Sequence, residues 1–377
     1  MNIEKLKKLD EITRQRIADK RLVSACYAIC QNNEKVYENS IGYADIENKI
    51  PLTPDTELRL ASMTKPITGV ALMKVVEEGK VSLDDKVSKY IPSFRQMNVA
   101  IIDDKGRITG QYPSRNEIEV RDLLNQASGL GEGEAGNRAW KDYHIKQGDT
   151  LSTIVPKFGD QLLDFEPRTN FIYSWTQAFD TAAYIVELVT GIEFEEYILE
   201  NILHPIGCYD TVYTPTEEQF SRLMKMYDAR DGKITEIDMG GRIFGDVPLT
   251  YKAAGAGMIG TLNDYMKFAG MLYNEGTFNG ARILKPETVK LMRTVSNVGL
   301  PEDFVEAWGL SMRVIGRQTE TQVLPAGTFG WSGAYGTHFI IDPKDKIYAV
   351  YMKNLLDGGG AGADTAREFE QVIMEAL

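Results

Sequence analysis

The sequence predicts an α/β protein in which a sheet-bearing part, built from both ends of the chain, holds a mostly helical insertion. Strand-like runs occur early, at Val23–Ile29 and Lys35–Ile41, and again late, at Trp308–Val314, Thr328–Trp331, Thr337–Asp342 and Ile347–Met352. Between the two groups, helical periodicity dominates. Helical runs also close both ends of the chain. The division that follows is a discontinuous domain of residues 1–85 and 251–377 and a helical domain of residues 86–250.

Each element has its own signal. The first helix, from about Ile3 to Lys20, is amphipathic through Leu6, Leu9, Ile12 and Ile17. Gln31-Asn32-Asn33 supplies the turn between the first two strands. Loops containing Gly42-Tyr43-Ala44-Asp45 and Pro51-Leu52-Thr53-Pro54-Asp55 lead to an extended run, Thr56 to Leu60. An apolar helix with Ile67, Val70, Ala71, Met73, Val75 and Val76 follows and ends near Gly79. Asp104-Lys105-Gly106 marks a hairpin within Val99–Ile108. A short helix at Glu119–Asn125, a Gly- and Glu-rich loop, and helices at Ile145–Lys157, Ala178–Thr190 and Glu193–Ile202 come next. Residues Glu217 to Thr250 mix a helix with a Gly-rich strand pair. Ala253-Ala254-Gly255-Ala256-Gly257-Met258 is a tight loop, readable as an ordinary turn or as backbone passing close to a site. Helices at Asn263–Asn274 and Lys285–Arg293 precede the late strands, and Asp364 can cap a last helix to Leu377.

Composition narrows the chemistry. A chain of 377 residues can bury an ample core. A formal charge of −12 argues against nucleic acid as a partner. Cys26, Cys30 and Cys208 are odd in number and fit neither a disulfide framework nor a zinc site, which points to a reducing compartment. The charged N-terminus has no apolar signal core and no run is long enough to span a bilayer, so a cytoplasmic protein with no membrane partner is expected. His144, His204 and His338 form no metal-ligand pair, and neither a metal nor another cofactor is expected. No G-x-S-x-G motif is present; Gly330-Trp331-Ser332-Gly333 comes nearest, with the wrong spacing. A nucleophile here would need a base other than histidine.

Ser62 and Lys65 answer that need. No other serine in the chain is followed by lysine three positions on. At the start of a helix, residues i and i+3 share a face, roughly 5–6 Å apart at Cβ. A lysine so placed can take the serine proton if burial lowers its pKa. The helix N-terminus adds partial positive charge and free amides where an oxyanion would form.

With its further motifs the chain resembles the serine hydrolases of the β-lactamase and penicillin-binding-protein superfamily, in the class C-like and family VIII esterase branch. Ser62-x-x-Lys65 is followed in the family's order by Leu123-Leu124-Asn125-Gln126-Ala127-Ser128-Gly129-Leu130, then Tyr173-Ser174-Trp175, then Gly330-Trp331-Ser332-Gly333. Pro51-Leu52-Thr53-Pro54-Asp55-Thr56, Pro205-Ile206-Gly207 and Asn279-Gly280-Ala281-Arg282-Ile283-Leu284 also fit. The resemblance implies an α+β fold with an antiparallel sheet flanked by helices, and an active site in the cleft between the sheet-bearing and helical domains. It implies Ser62 as nucleophile, Lys65 as the group assisting its deprotonation, and Tyr173 as second member of the base and donor to the leaving group. The Tyr173 phenolate is expected to be favoured beside a lysine ammonium. The oxyanion hole would be the amides of Ser62 and Ala334. Trp331, Ser332, Gly333, Trp175 and Gln126 would meet substrate. Trp175 stands where the lactamase and peptidase branches carry asparagine, and Trp331-Ser332-Gly333 replaces a Lys-Thr-Gly or His-Thr-Gly whose cation meets a carboxylate. Gln126 replaces a common histidine. These departures favour neutral acyl esters, hence a cofactor-free carboxylesterase acting on a small-molecule ester. The alternatives are an acyltransferase with the same acyl-enzyme, a weak β-lactamase or D-amino-acid peptidase, and a non-catalytic ligand-binding homologue. The oligomeric state is not readable.

Overall fold

The computed structural model describes residues 1–297, 303–360 and 363–377. Its main sheet has eight strands: β1 (Ser24–Gln31), β2 (Glu34–Asp45), β3 (Ile50–Pro51), β4 (Glu306–Trp308), β5 (Arg313–Ile315), β6 (Phe329–Ser332), β7 (His338–Asp342) and β8 (Ile347–Met352). The order across the sheet is β4-β5-β6-β7-β8-β1-β2-β3, and every pairing is antiparallel. The first strand pairs with the last, Tyr27 opposite Tyr351, so the two ends of the chain close one sheet. β1 and β8 are apolar without alternation because both faces of the sheet are covered. The turn at Asn32-Asn33 has φ of 53° and 65°, the left-handed pair that a two-residue hairpin requires and that asparagine tolerates.

The helices used below are α1 (Lys8–Ala18), α2 (Thr64–Glu77), α3 (Glu134–Tyr143), α4 (Gln177–Thr190), α5 (Leu262–Tyr273) and α6 (Asp364–Glu375). Neighbouring residues of a strand point to opposite faces. His338 meets Phe369 of α6, and Phe339 meets Tyr265 of α5 with ring centroids 5.2 Å apart, so α6 and α5 cover opposite faces of the sheet. α1 lies with α6, held by Arg16 on Glu368 at 2.7 Å. α2 is apolar all round and buried along nearly its whole length, as a helix enclosed by others must be; α4 packs against it.

Three segments differ from expectation. Trp308–Val314 is not one strand but the hairpin β4–β5: Gly309 donates to Met312 and Ser311 adopts φ 72°, reversing the chain. The Gly- and Glu-rich stretch after Leu130 contains helix α3. The helix expected at Ile145–Lys157 is reduced to Leu151–Ile154 and a 3-10 turn, because Pro156 cannot continue a regular helix.

Candidate active site

The strand Leu58–Arg59 pairs with Ile259–Gly260 and runs into a one-turn 3-10 helix, Ala61–Met63, from which α2 starts. Ala61 takes φ 46°, a left-handed conformation costing an alanine about 1–2 kcal/mol. The turn is over-determined from outside. Arg59 N donates to Asn354 Oδ1 at 2.8 Å, Leu60 N to Met258 O at 3.0 Å, and Thr337 Oγ1 to Leu60 O at 2.9 Å. Gly333 lets the end of β6 press against this turn: a Cβ there would lie 2.1 Å from Leu60 O. The amides of Ser62 and Ala334 donate to no backbone or side-chain acceptor among the described residues.

Lys65, fully buried, aims its amine back at this turn. Its Nζ lies 3.3 Å from Ser62 Oγ, 2.5 Å from Trp175 O and 2.9 Å from Gly255 O. A neutral amine has two N–H donors and one lone pair. The two carbonyls take the donors, leaving the lone pair for the Ser62 hydroxyl. Burial lowers the Lys65 pKa from 10.5 to about 7, against the opposing pull of Glu132 and Asp180. Gly255 is required where it stands, since a Cβ would fall 2.1 Å from Trp175 O and push the two carbonyl loops apart. Asp180, buried on α4, holds the 253–258 loop from below, accepting from Ala254 N and from Tyr251 Oη, both at 2.7 Å.

Tyr173 completes the cluster from an irregular segment before α4. Trp331 Nε1 donates to its hydroxyl at 3.2 Å, and nearby Ser62 partly opposes the effect of burial on the phenol. The indoles of Trp308 and Trp331, 4.5 Å apart edge to face, wall its ring. Lys65 Nζ sits 4.7 Å from the centroid of that ring, over its face. Burial raises the Tyr173 pKa well above the ordinary phenol value, so the phenolate expected from a neighbouring ammonium is not favoured; the hydroxyl is held protonated as a donor.

Gln126 and Ser332 sit differently from expectation. Gln126 is buried with φ 66° and clasps the Tyr173 segment instead of facing substrate: its backbone carbonyl accepts from Ile172 N at 3.0 Å and its Oε1 from Ser174 N at 2.8 Å. Ser332 pairs across the sheet with His338 and shares its face, turned away from Ser62; its Oγ lies 2.7 Å from His338 Nδ1, and His338 Nε2 lies 3.1 Å from Glu370 Oε1. Trp331, one residue earlier, pairs with Phe339 and faces the cluster. Trp175 contributes its carbonyl to Lys65, while its indole is 49 % exposed.

Glu132, Asp180, Gly255 and Trp308 also belong to the site, although no sequence motif marks them as site residues; only the 253–258 loop carries a signal, its glycines. Glu132 N donates to Tyr173 O at 2.8 Å, its Oε1 is buried without a partner, and burial lifts its pKa to about 7 while Lys65 pulls it down. The donors around Ser62 are an amine, a phenol and an indole, and no metal-binding group of three or more His, Cys, Asp or Glu occurs among the described residues.

The family model "Beta-lactamase" matches residues 9–372. The chain belongs to the β-lactamase family. Among curated relatives of this family member, Protein Rv1367c of Mycobacterium tuberculosis (strain H37Rv) is 31 % identical over 89 % of this chain and 87 % of its own. Esterase EstB of Burkholderia gladioli is 26 % identical, covering 94 % of this chain and 92 % of its own. The solved structure of EstCE1, described as a hydrolase with promiscuous acyltransferase activity, superposes with a TM-score of 0.81 at 24 % identity over 98 % of both chains, a likeness of fold. Membership makes this chain one of the serine hydrolases of that fold, with the antiparallel sheet and flanking helices that the family resemblance implies. Among the described residues, no helix is long and apolar enough to cross a membrane.

Proposed function

We propose that this β-lactamase family member is a carboxylesterase that cleaves small to medium neutral acyl esters through an acyl-enzyme on Ser62. The observation that carries the reading is the environment of Lys65: its buried Nζ lies on two carbonyls and 3.3 Å from Ser62 Oγ, so that in the neutral amine, whose N–H groups the carbonyls take, the lone pair meets Ser62. In acylation the Ser62 proton passes to Lys65 as Oγ bonds to the ester carbonyl carbon. The carbonyl oxygen becomes an oxyanion against the amides of Ser62 and Ala334. Collapse expels the alcohol, whose oxygen takes the Tyr173 proton, and Lys65 returns one to Tyr173. Water then repeats the sequence against the acyl-enzyme and releases the acid. Acid–base assistance of this kind is worth roughly 10²–10⁴-fold.

Three features support a neutral acyl group. Trp331 stands where a cation would meet a substrate carboxylate, Trp308 packs a second indole against it, and Trp175, two residues after Tyr173, lies half exposed. A relative named as an esterase supports the same class. An acyltransferase would use the same acyl-enzyme with an alcohol in place of water. The test is turnover of p-nitrophenyl esters of graded acyl length, with nitrocefin alongside, by wild type and Ser62→Ala, together with intact mass after brief exposure to substrate. Ester turnover, an acyl adduct on Ser62 and loss of both in the variant are expected; undiminished turnover by Ser62→Ala refutes the reading. Added alcohols that divert product from acid to new ester would assign the chain to acyl transfer.

A further inference from the structure

Arg59 is 5 % exposed, and its guanidinium meets no carboxylate among the described residues. Its Nη1 donates to Met224 O at 2.9 Å, and its Nε and Nη2 reach Arg242 O at 3.4 and 3.3 Å. Those three bonds leave one N–H on each terminal nitrogen of a five-donor group. Burial is the main cause lowering its pKa, to about 10, a sign of how poorly the charge is compensated.

Arg59 lines a cavity of about 450 Å³, within the roughly 300–1,000 Å³ of small-molecule sites. The cavity wall is apolar along Ile50, Phe220, Met224, Met226, Ile237 and Met239. Its other charged groups are already engaged. Arg222 pairs with Asp210 and Glu218, and Lys225 pairs with Glu236. Asp45 accepts from the backbone and side chain of Asn48, Asp55 from Asn263, and Asp238 from Gly240 N. Asp55, Glu236 and Asp238 are exposed. Arg59 is thus the buried cation on this wall that meets no carboxylate among the described residues. Ser62, Lys65, Tyr173 and Trp331 do not line the cavity.

We propose that this cavity is a binding site for a medium-chain carboxylic acid, its carboxylate on the free N–H pair of Arg59 and its tail along the methionine wall. Methionine's flexible thioether suits an unbranched chain of variable length. The site is coupled to the nucleophile turn. Met226, Ile237 and Met239 pack with Ala61 and Tyr335, the residues flanking the Ser62 and Ala334 amides. Tyr335 Oη in turn accepts from Gly245 N at 3.3 Å. An occupied cavity braces the left-handed Ala61, so a bound acid acts on the Ser62 turn from behind.

Binding of sodium octanoate, an acid and not an ester, is measured by calorimetry on the full chain with Ser62→Ala as background, so the result does not depend on the esterase reading. Saturable one-to-one binding is expected, with n-octanol at least about tenfold weaker. Arg59→Gln should lose at least about tenfold in affinity. Should that variant not fold, Met239→Trp, which fills the cavity and leaves the guanidinium, should also lose binding, whereas Trp331→Ala should keep it. No saturable binding, equal affinity for octanol, or binding lost in Trp331→Ala and retained in Met239→Trp would each overturn the proposal.

Discussion

Lys65 should switch the enzyme on as pH rises through neutrality. An ordinary lysine with pKa 10.5 is only about 0.3 % neutral at pH 8; with a pKa of about 7 it is roughly nine-tenths neutral there. The displacement of about 3.5 units corresponds to roughly 5 kcal/mol against the buried ammonium. If the lone pair facing Ser62 is the working base, log kcat/KM rises with unit slope below about pH 7 and levels above about pH 8. Glu132 supplies the sharper test. Its negative charge raises the Lys65 pKa, so Glu132→Gln makes the neutral amine easier to reach and moves the acid limb to lower pH. Because Glu132 itself titrates near 7, the wild-type limb belongs to the pair, and the variant should also sharpen it to one ionisation. The assay is kcat/KM for p-nitrophenyl butyrate from pH 5 to 9, corrected for spontaneous hydrolysis. A limb near pH 4–5, a limb that moves upward in Glu132→Gln, or complete loss of activity in that variant would refute the assignment, the last by making the carboxylate itself the base.

Tyr173→Phe removes the proposed leaving-group donor and should cut kcat by roughly 10²–10⁴-fold with little change in Tm, since the ring stays wedged between Trp308 and Trp331; kinetics and thermal melts check both halves. Gly333→Ala places a methyl 2.1 Å from Leu60 O and 2.3 Å from Thr337 Oγ1, so it should lower both Tm and kcat by prising the Ala334 strand from the Ser62 turn. Glu57 is fully buried, neither of its oxygens has a hydrogen-bond partner, and burial raises its pKa from 4.5 to about 9. The native state therefore holds a proton that the unfolded chain has released above pH 4.5, so this group's contribution to stability falls as pH rises from about 4.5 towards 9. Glu57→Gln should stabilise by up to about 3 kcal/mol at pH 7 and by almost nothing at pH 4.5, measured by urea unfolding at the two pH values.

Local physics makes part of the site legible in the sequence. Ser62 and Lys65 are joined by helical spacing, and spacing is written in the order of residues. The partners that set Lys65's pKa are not: the Trp175 and Gly255 carbonyls lie 110 and 190 residues away, and a backbone carbonyl carries no side-chain signature. Glu132 looks in the sequence like one of several acids in a flexible loop, and only the fold shows its N–H tied to Tyr173 O. Trp308 is hidden because its hairpin has the composition of a single strand. A turn of Gly309, Leu310, Ser311 and Met312 is apolar enough to pass for strand, and only Ser311's left-handed backbone reverses it.

Ser332 and Gln126 carry a different lesson, because elementary geometry bears on both. Trp331 and Ser332 are neighbours on β6, and a strand cannot turn two consecutive side chains to one face. With Trp331 on the side of Tyr173, Ser332 belongs to the other, where it meets His338 and through it Glu370. Gln126 follows from hydrogen-bond accounting. The segment around Tyr173 has no regular structure, so its amides need acceptors, and a buried glutamine supplies one from its side chain and one from its backbone. A histidine side chain has no carbonyl oxygen with which to reproduce the side-chain contact to Ser174 N, although a ring nitrogen can accept from the same amide. The position therefore acts by holding the Tyr173 segment in place, and substitutions there should change kcat through the placement of the phenol, leaving the indoles of Trp308 and Trp331 as they are.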